Sequence, residues 1–273
     1  MNSRKKWVTL LVLLCFVIAS TLLYNFAIKP RKVQVKIAIF DSGINEEHEF
    51  FENLNFSSFG KYKYNGIDNF NHGTGVTSLI VDSLTKTQKK ALIIYNVKIL
   101  DEKGIGELTR MKEGLRLAIN ENVDVINISA GFQTYDAEIE DLIKEADNKG
   151  IIIIASAGNN IGFKVDYPAR FKEVISISSI NKDMDPSPTS SVGKIDFVSV
   201  GENVKVANND YTYGIQSGSS YATAKVTGYL LSEMLKNDEI TDYHSAYQYL
   251  LNSAKHPKTP TNKEIYGNGI IEN

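Results

Sequence analysis

The sequence predicts an α/β domain, a parallel sheet with helices on both faces, preceded by one N-terminal transmembrane helix. Three observations predict it. Short β-branched runs alternate with stretches of helical apolar spacing. Small and polar residues follow several of those runs directly. An uncharged apolar segment stands near the amino end. No internal repeat or low-complexity tract is present among the 273 residues, and at 42% apolar composition the chain can bury one substantial core. The expected division is an N-terminal tip, anchor and basic flank over residues 1–32, then a single domain over 33–273.

Residues 7–28 read WVTLLVLLCFVIASTLLYNFAI, without a charge. About 20 such residues span the hydrocarbon core of a bilayer as a helix, and Pro30 closes the run. A cleaved signal peptide is the competing reading, with Val17 and Ala19 as its small-residue site. Apolar residues continue past that point, which favours an uncleaved anchor. Arg4, Lys5 and Lys6 nearly balance Lys29, Arg31 and Lys32 across the segment, so flanking charge orients it only weakly. The short amino-terminal flank favours a body outside the cytoplasm. Cys15, the only cysteine, lies inside the apolar run. It excludes an intramolecular disulfide, and it reads as apolar filler because Leu14 stands where a lipid-attachment site needs a small residue. Residues 1–36 hold seven basic side chains and no acidic ones. The remainder therefore carries 23 basic against 32 acidic residues, a net of −9. Such a body lacks the cationic surface that binds nucleic acid.

Within the body, residues 33–40, 123–128, 151–154 and 174–177 are the strand-like runs. Helical spacing occupies 109–120 and 136–148, with Gly150 as a stop after the second. Such alternation implies βαβ units and a parallel sheet covered on both faces. Open parallel sheets bind ligands beyond the carboxyl ends of their strands. The residues to inspect are therefore Asp41, Ser129-Ala130-Gly131 and Ala155-Ser156-Ala157-Gly158-Asn159.

Four short motifs carry the chemistry: Asp41-Ser42-Gly43, His72-Gly73-Thr74-Gly75, Ala157-Gly158-Asn159 and Gly218-Ser219-Ser220-Tyr221-Ala222. A serine hydroxyl is a poor nucleophile at neutral pH and needs an adjacent base. A histidine, with an unperturbed pKa of about 6.5, can take that proton and return it to a leaving amine. A carboxylate behind the imidazole fixes its tautomer and stabilises the imidazolium. The amide of Asn159 and the backbone N–H of Ser220 are suitable donors to a developing oxyanion. Residue types and their order thus point to acyl transfer by Asp41, His72 and Ser220.

The order Asp–His–Ser in DSG, HGTG, AGN and GSSYA contexts resembles the subtilisin-like serine proteases, over roughly residues 35–273. The resemblance implies a serine endopeptidase without a cofactor, acting on a peptide or protein. It assigns the two substrate-binding edges to Gly104 and Gly106 in VKILDEKGIGE and to Ser129, Ala130 and Gly131 in VDVINISAG. It makes Asn159 the oxyanion donor, and it extends to YGNG near the carboxyl end. His48 takes the place of a structural histidine. His244 and His256 read as surface residues, and Ser219 as support for the oxyanion loop. Asp166 stands where the family's VGYPG-like segment has the glycine at the base of the first specificity pocket, which implies a preference for Lys or Arg before the cleaved bond. The competing reading is a loop aspartate neutralised by Lys164 or Arg170. Three departures stand out. HGTG replaces HGTH, Ala224 replaces a proline, and Tyr221 replaces a methionine. The segment 78–95 is shorter than its family counterpart and lacks the loop that binds a structural calcium, so no metal site is expected. A membrane tether close to the domain fits limited processing of an exported peptide, such as leader-peptide removal. A catalytically silent peptide-binding module is the alternative from another class.

Overall fold

The computed structural model describes residues 34–59, 66–256 and 262–272. The expected anchor at 7–28 lies outside the described residues. Among the described residues, no helix is long and apolar enough to cross a membrane.

Seven strands form one sheet: β1 (Val35–Asp41), β2 (Asn55–Ser57), β3 (Leu92–Lys98), β4 (Val125–Ile128), β5 (Ile152–Ser156), β6 (Ile175–Ile180) and β7 (Phe197–Val200). Their order is β2-β3-β1-β4-β5-β6-β7, and every pairing is parallel. The α/β class with a parallel sheet is the class expected. Side chains alternate across a strand, so Ile37 and Ile39 of β1 enter one apolar cluster while Ala38 and Phe40 enter the other. The same split separates Ile152 and Ile154 from Ile153 and Ala155 in β5. Burial on both faces explains why these strands read as unbroken apolar runs rather than alternating ones.

One face is covered by α1 (Gly73–Asp82) and, after the short α2 (Lys86–Lys90), by the later helix described below. The other face is covered by α3 (Leu108–Asn120) and α4 (Ala137–Asn148). The start of α4 is set by Asp136, whose carboxylate accepts from the N–H groups of Glu138 and Ile139 at 3.0 and 3.1 Å. It stops where expected, with Gly150 at φ +79°. The first face also packs α5 (Ser219–Met234) closely, through small residues such as Gly228. A Cβ at Gly228 would stand only 2.4 Å from the Ile80 carbonyl oxygen of α1.

Three elements had no clear signal in the sequence. The hairpin β8 (Val204–Ala207) and β9 (Tyr213–Gln216) leaves the residues of β9 half-buried or exposed. The polar carboxyl-terminal region folds as α6 (Tyr243–Ser253), with Asp242 as its cap and only Ala246 and Leu250 buried, followed by α7 (Lys263–Tyr266). His244 and His256 are exposed, as expected.

Strand β1 has β3 on one side and β4 on the other, so the direction of winding reverses about it. A crevice opens at such a point beyond the carboxyl ends of the strands. Asp41, 129–131 and 157–159 all lie there, at the ends of β1, β4 and β5.

Candidate active site

Asp41 is the last residue of β1 and is 1% exposed. Its Oδ1 accepts from the Ser42 N–H and faces His72 Nδ1, each at 2.7 Å. Its Oδ2 is buried without a hydrogen-bond partner among the described residues. His72 caps the start of α1. Burial pulls the imidazole pKa down, but the charge of Asp41, its hydrogen bond and the charge of Asp68 outweigh burial and hold it above the ordinary value. The approach of α1 to β1 requires glycine on both sides. Gly43 has φ +104°, and a Cβ on Gly73 would stand 2.1 Å from the Gly43 carbonyl oxygen.

Ser220 is the second residue of α5, and its Oγ donates to the Ser129 carbonyl at 3.1 Å. Its N–H lies in the first helical turn, where the helix itself supplies no acceptor. Asn159 follows β5 and is clamped by its carbonyl. Oδ1 accepts from the Ser219 N–H and Oγ, both at 3.0 Å. That leaves the Nδ2 amide near Gly218, 3.2 Å from where a Cβ on that glycine would lie. Ser219 thus holds the Asn159 side chain in place. It is itself tied to Ser156 by a hydroxyl contact of 2.7 Å. His72, Asn159, Gly218, Ser220, Phe70 and Tyr221 line one cleft of about 380 Å³.

The two expected peptide-holding edges lie within reach of one another. The Phe132 ring that follows Gly131 fills the space beside Gly106, 2.8 Å from where a Cβ would be. The Phe70 ring lies over Gly104, 2.4 Å from such an atom. Ser129 is buried and its Oγ accepts from Asn127 Nδ2 at 3.0 Å. Asn127 is held in turn by Thr227 of α5 at 2.8 Å.

Asp166 is 8% exposed and sits behind both Gly131 and Gly158. Its Oδ2 lies 2.8 and 2.4 Å from the places where Cβ atoms of those glycines would stand. Oδ1 accepts from Asn160 Nδ2 at 2.9 Å. Arg170 is committed elsewhere: its Nε donates to the Val165 carbonyl at 2.7 Å, and its guanidinium lies over the Tyr167 ring at 4.5 Å. Burial raises the Asp166 pKa, and the Asn160 bond and Arg170 charge offset this only in part.

Two residues escaped the sequence reading. Asp68, 1% exposed, organises the segment entering α1. It accepts from Ser42 Oγ at 2.7 Å, Asn71 N at 2.8 Å and Thr74 N at 2.9 Å. The polar run Asp68-Asn69-Phe70-Asn71 just before His72 was its only trace. Asn160 is the second, next to a recognised motif but identifiable only through its contact with Asp166. Among the described residues, no group of three or more His, Cys, Asp or Glu is placed to hold a metal.

Known proteins resemble this chain over most of the described domain. The model of the Subtilase family matches residues 32–269. Subtilisin of Bacillus pumilus is 32% identical over 206 residues, 71% of this chain and 74% of that protein. Subtilisin NAT of Bacillus subtilis subsp. natto is 31% identical over 71% of this chain, a match that spans only about half of its own length, 54%. Among solved structures, the epidermin leader peptide processing serine protease from Staphylococcus aureus superimposes with a TM-score of 0.73 at 21% identity. That match covers 88% of this chain and 74% of the other.

Proposed function

This chain belongs to the subtilase family of serine endopeptidases, and we propose that it cleaves exported peptides after Lys or Arg while tethered to a membrane. The observation that carries the hydrolase reading is the 2.7 Å contact between His72 Nδ1 and Asp41 Oδ1, in one cleft with Ser220 and Asn159.

The substrate strand lies between the edge at Gly104 and Gly106 and the edge at Ser129, Ala130 and Gly131, and its backbone pairs with both. The amide N–H before the scissile carbonyl takes the Ser129 carbonyl. That displaces the Ser220 hydroxyl, which occupies this acceptor in the free protein, and turns Oγ toward the imidazole. Oγ adds to the carbonyl carbon while its proton passes to His72 Nε2. Asn159 Nδ2 and the Ser220 N–H receive the oxyanion, whose charge appears only as the bond forms. The imidazolium, stabilised by Asp41, then protonates the leaving amine and an acyl-enzyme remains. Water, deprotonated by the same imidazole, reverses the sequence and releases the acid.

Selectivity comes from Asp166, whose carboxylate lies beside the two glycines that wall the first specificity pocket. It attracts a basic side chain and repels an acidic one. The anchor is supported by the uncharged run at 7–28, and the enzyme class favours an extracytoplasmic body. A tethered enzyme reaches few substrates, which favours limited processing over bulk degradation. One solved neighbour is an epidermin leader peptide processing protease, and leader-peptide removal fits this tether.

The test is labelling with a serine-directed fluorophosphonate. Labelling of the wild type that disappears in Ser220→Ala supports the hydrolase. An unlabelled wild type that still binds peptides identifies a silent binding module instead. Alkaline carbonate extraction tests the tether, and a mature amino terminus near Ser20 identifies a cleaved signal and a secreted enzyme.

A further inference from the structure

The residue after the nucleophile is an aromatic ring in contact with the catalytic imidazole. Tyr221 is 3% exposed, and its ring centroid lies 5.3 Å from that of His72 at an interplanar angle of 52°. The half-exposed ring of Phe70 is also nearby, its centroid 6.2 Å from that of the imidazole at an interplanar angle of 40°. A cation within about 6 Å of an aromatic centroid is attracted by the ring quadrupole, more so where water is excluded. In the active form His72 is neutral and becomes a cation when it takes the Ser220 proton, so this attraction is absent from that ground state and present in the transition state. The same attraction favours the imidazolium that forms when the free enzyme is acidified. Interactions of that kind raise kcat rather than tighten substrate binding.

We infer that Tyr221 is a positioning residue that stabilises the His72 imidazolium through the face of its ring. Its hydroxyl is dispensable for that stabilisation, since none of the described hydrogen bonds within the catalytic cluster uses it. The phenol also stays neutral. Burial, then the charges of Asp41 and Asp68, push its ionisation far above the working range. The charged and titratable groups that face His72 are Asp41 from β1, Asp68 from the segment before α1, and Tyr221 with Ser220 from α5. Both carboxylates favour the imidazolium as the ring does, so the ring's share must be read by changing the ring alone.

The inference rests on His72 being the base, and its failure can be told apart from the failure of that reading. Tyr221 is replaced by phenylalanine and then by phenylalanines carrying successive ring fluorines, which withdraw electron density from the ring face while nearly preserving its shape. The expected result is an acid limb of the kcat/KM profile that Tyr221→Phe retains and that moves to lower pH with each fluorine. A parallel loss of kcat should reach about tenfold, with KM unchanged. Tyr221→Leu, checked for folding by its melting transition, should match the most fluorinated ring. A flat series with His72→Ala inactive overturns the inference and leaves the triad intact. Full activity in His72→Ala overturns the triad first.

Discussion

Removing the Asp166 carboxylate is the sharpest test of what this protease selects. In the folded chain, Oδ1 is held by Asn160 Nδ2 at 2.9 Å, and Oδ2 lies against Gly131 and Gly158. A Lys or Arg entering between these two glycines would meet a carboxylate that makes no ion pair among the described residues, with only the Arg170 charge acting on it. Opposite unit charges about 4 Å apart interact by about 4 kcal/mol at an effective dielectric of 20. Desolvating the incoming cation removes much of this, and hydrogen bonds to charged groups typically net about 1.5–3 kcal/mol. Asp166→Gly should therefore lower the ratio of kcat/KM for Lys over Leu by about 10- to 150-fold. The assay is a set of matched peptides differing only at the residue before the cleaved bond, with Lys, Arg, Phe or Leu there. The ratio should also depend on pH. Burial raises the Asp166 pKa, so the basic preference is full well above the ordinary carboxylate range and decays as pH falls through the raised value. A Lys-to-Leu ratio that is unchanged in Asp166→Gly, or a wild type that prefers Phe or Leu, would refute the electrostatic argument.

Asn159→Ala should fold normally and lose about 10²–10³-fold in kcat, the range for one oxyanion donor, which active-site-titrated kinetics would measure; a variant within twofold of wild type removes Asn159 from that role. Asp41→Asn should lower kcat by about 10⁴-fold while circular dichroism shows the fold retained, because the imidazole loses both its tautomer and its counter-charge. The His72 pKa lies above its ordinary value, and the neutral imidazole is the active base. Activity should therefore rise with pH through a midpoint above that of free histidine, and a midpoint well below 6.5 in a pH–kcat/KM profile contradicts the Asp41 contact. Adding a chelator should leave the melting temperature unchanged, since calcium needs six to eight oxygen ligands and the short 78–95 segment offers few; a large fall in differential scanning calorimetry reveals a site elsewhere.

The parallel sheet, its central strands and the helices α3 and α4 were legible from local pattern, because strands buried on both faces are continuous β-branched runs and these two helices carry one apolar stripe. Asp41, His72, Ser220 and Asn159 were equally legible as candidates, from residue type and order in four short motifs. β8–β9 and α6 were not. β8 is only four residues long, β9 buries none of its residues and α6 only two, too little for a periodic signal; their stability comes from packing on the finished domain. The chain also named Asp166, but only folding placed its carboxylate behind Gly131 and Gly158, residues 35 and 8 positions earlier. Asp68, Asn160 and the contact of Tyr221 with His72 belong to the same class. Residue type and order, then, determined which chemistry this chain carries. Which polar groups hold, shield and aim that chemistry was decided only when strand ends far apart in sequence met in one crevice, because contacts between distant segments leave no periodicity in the chain.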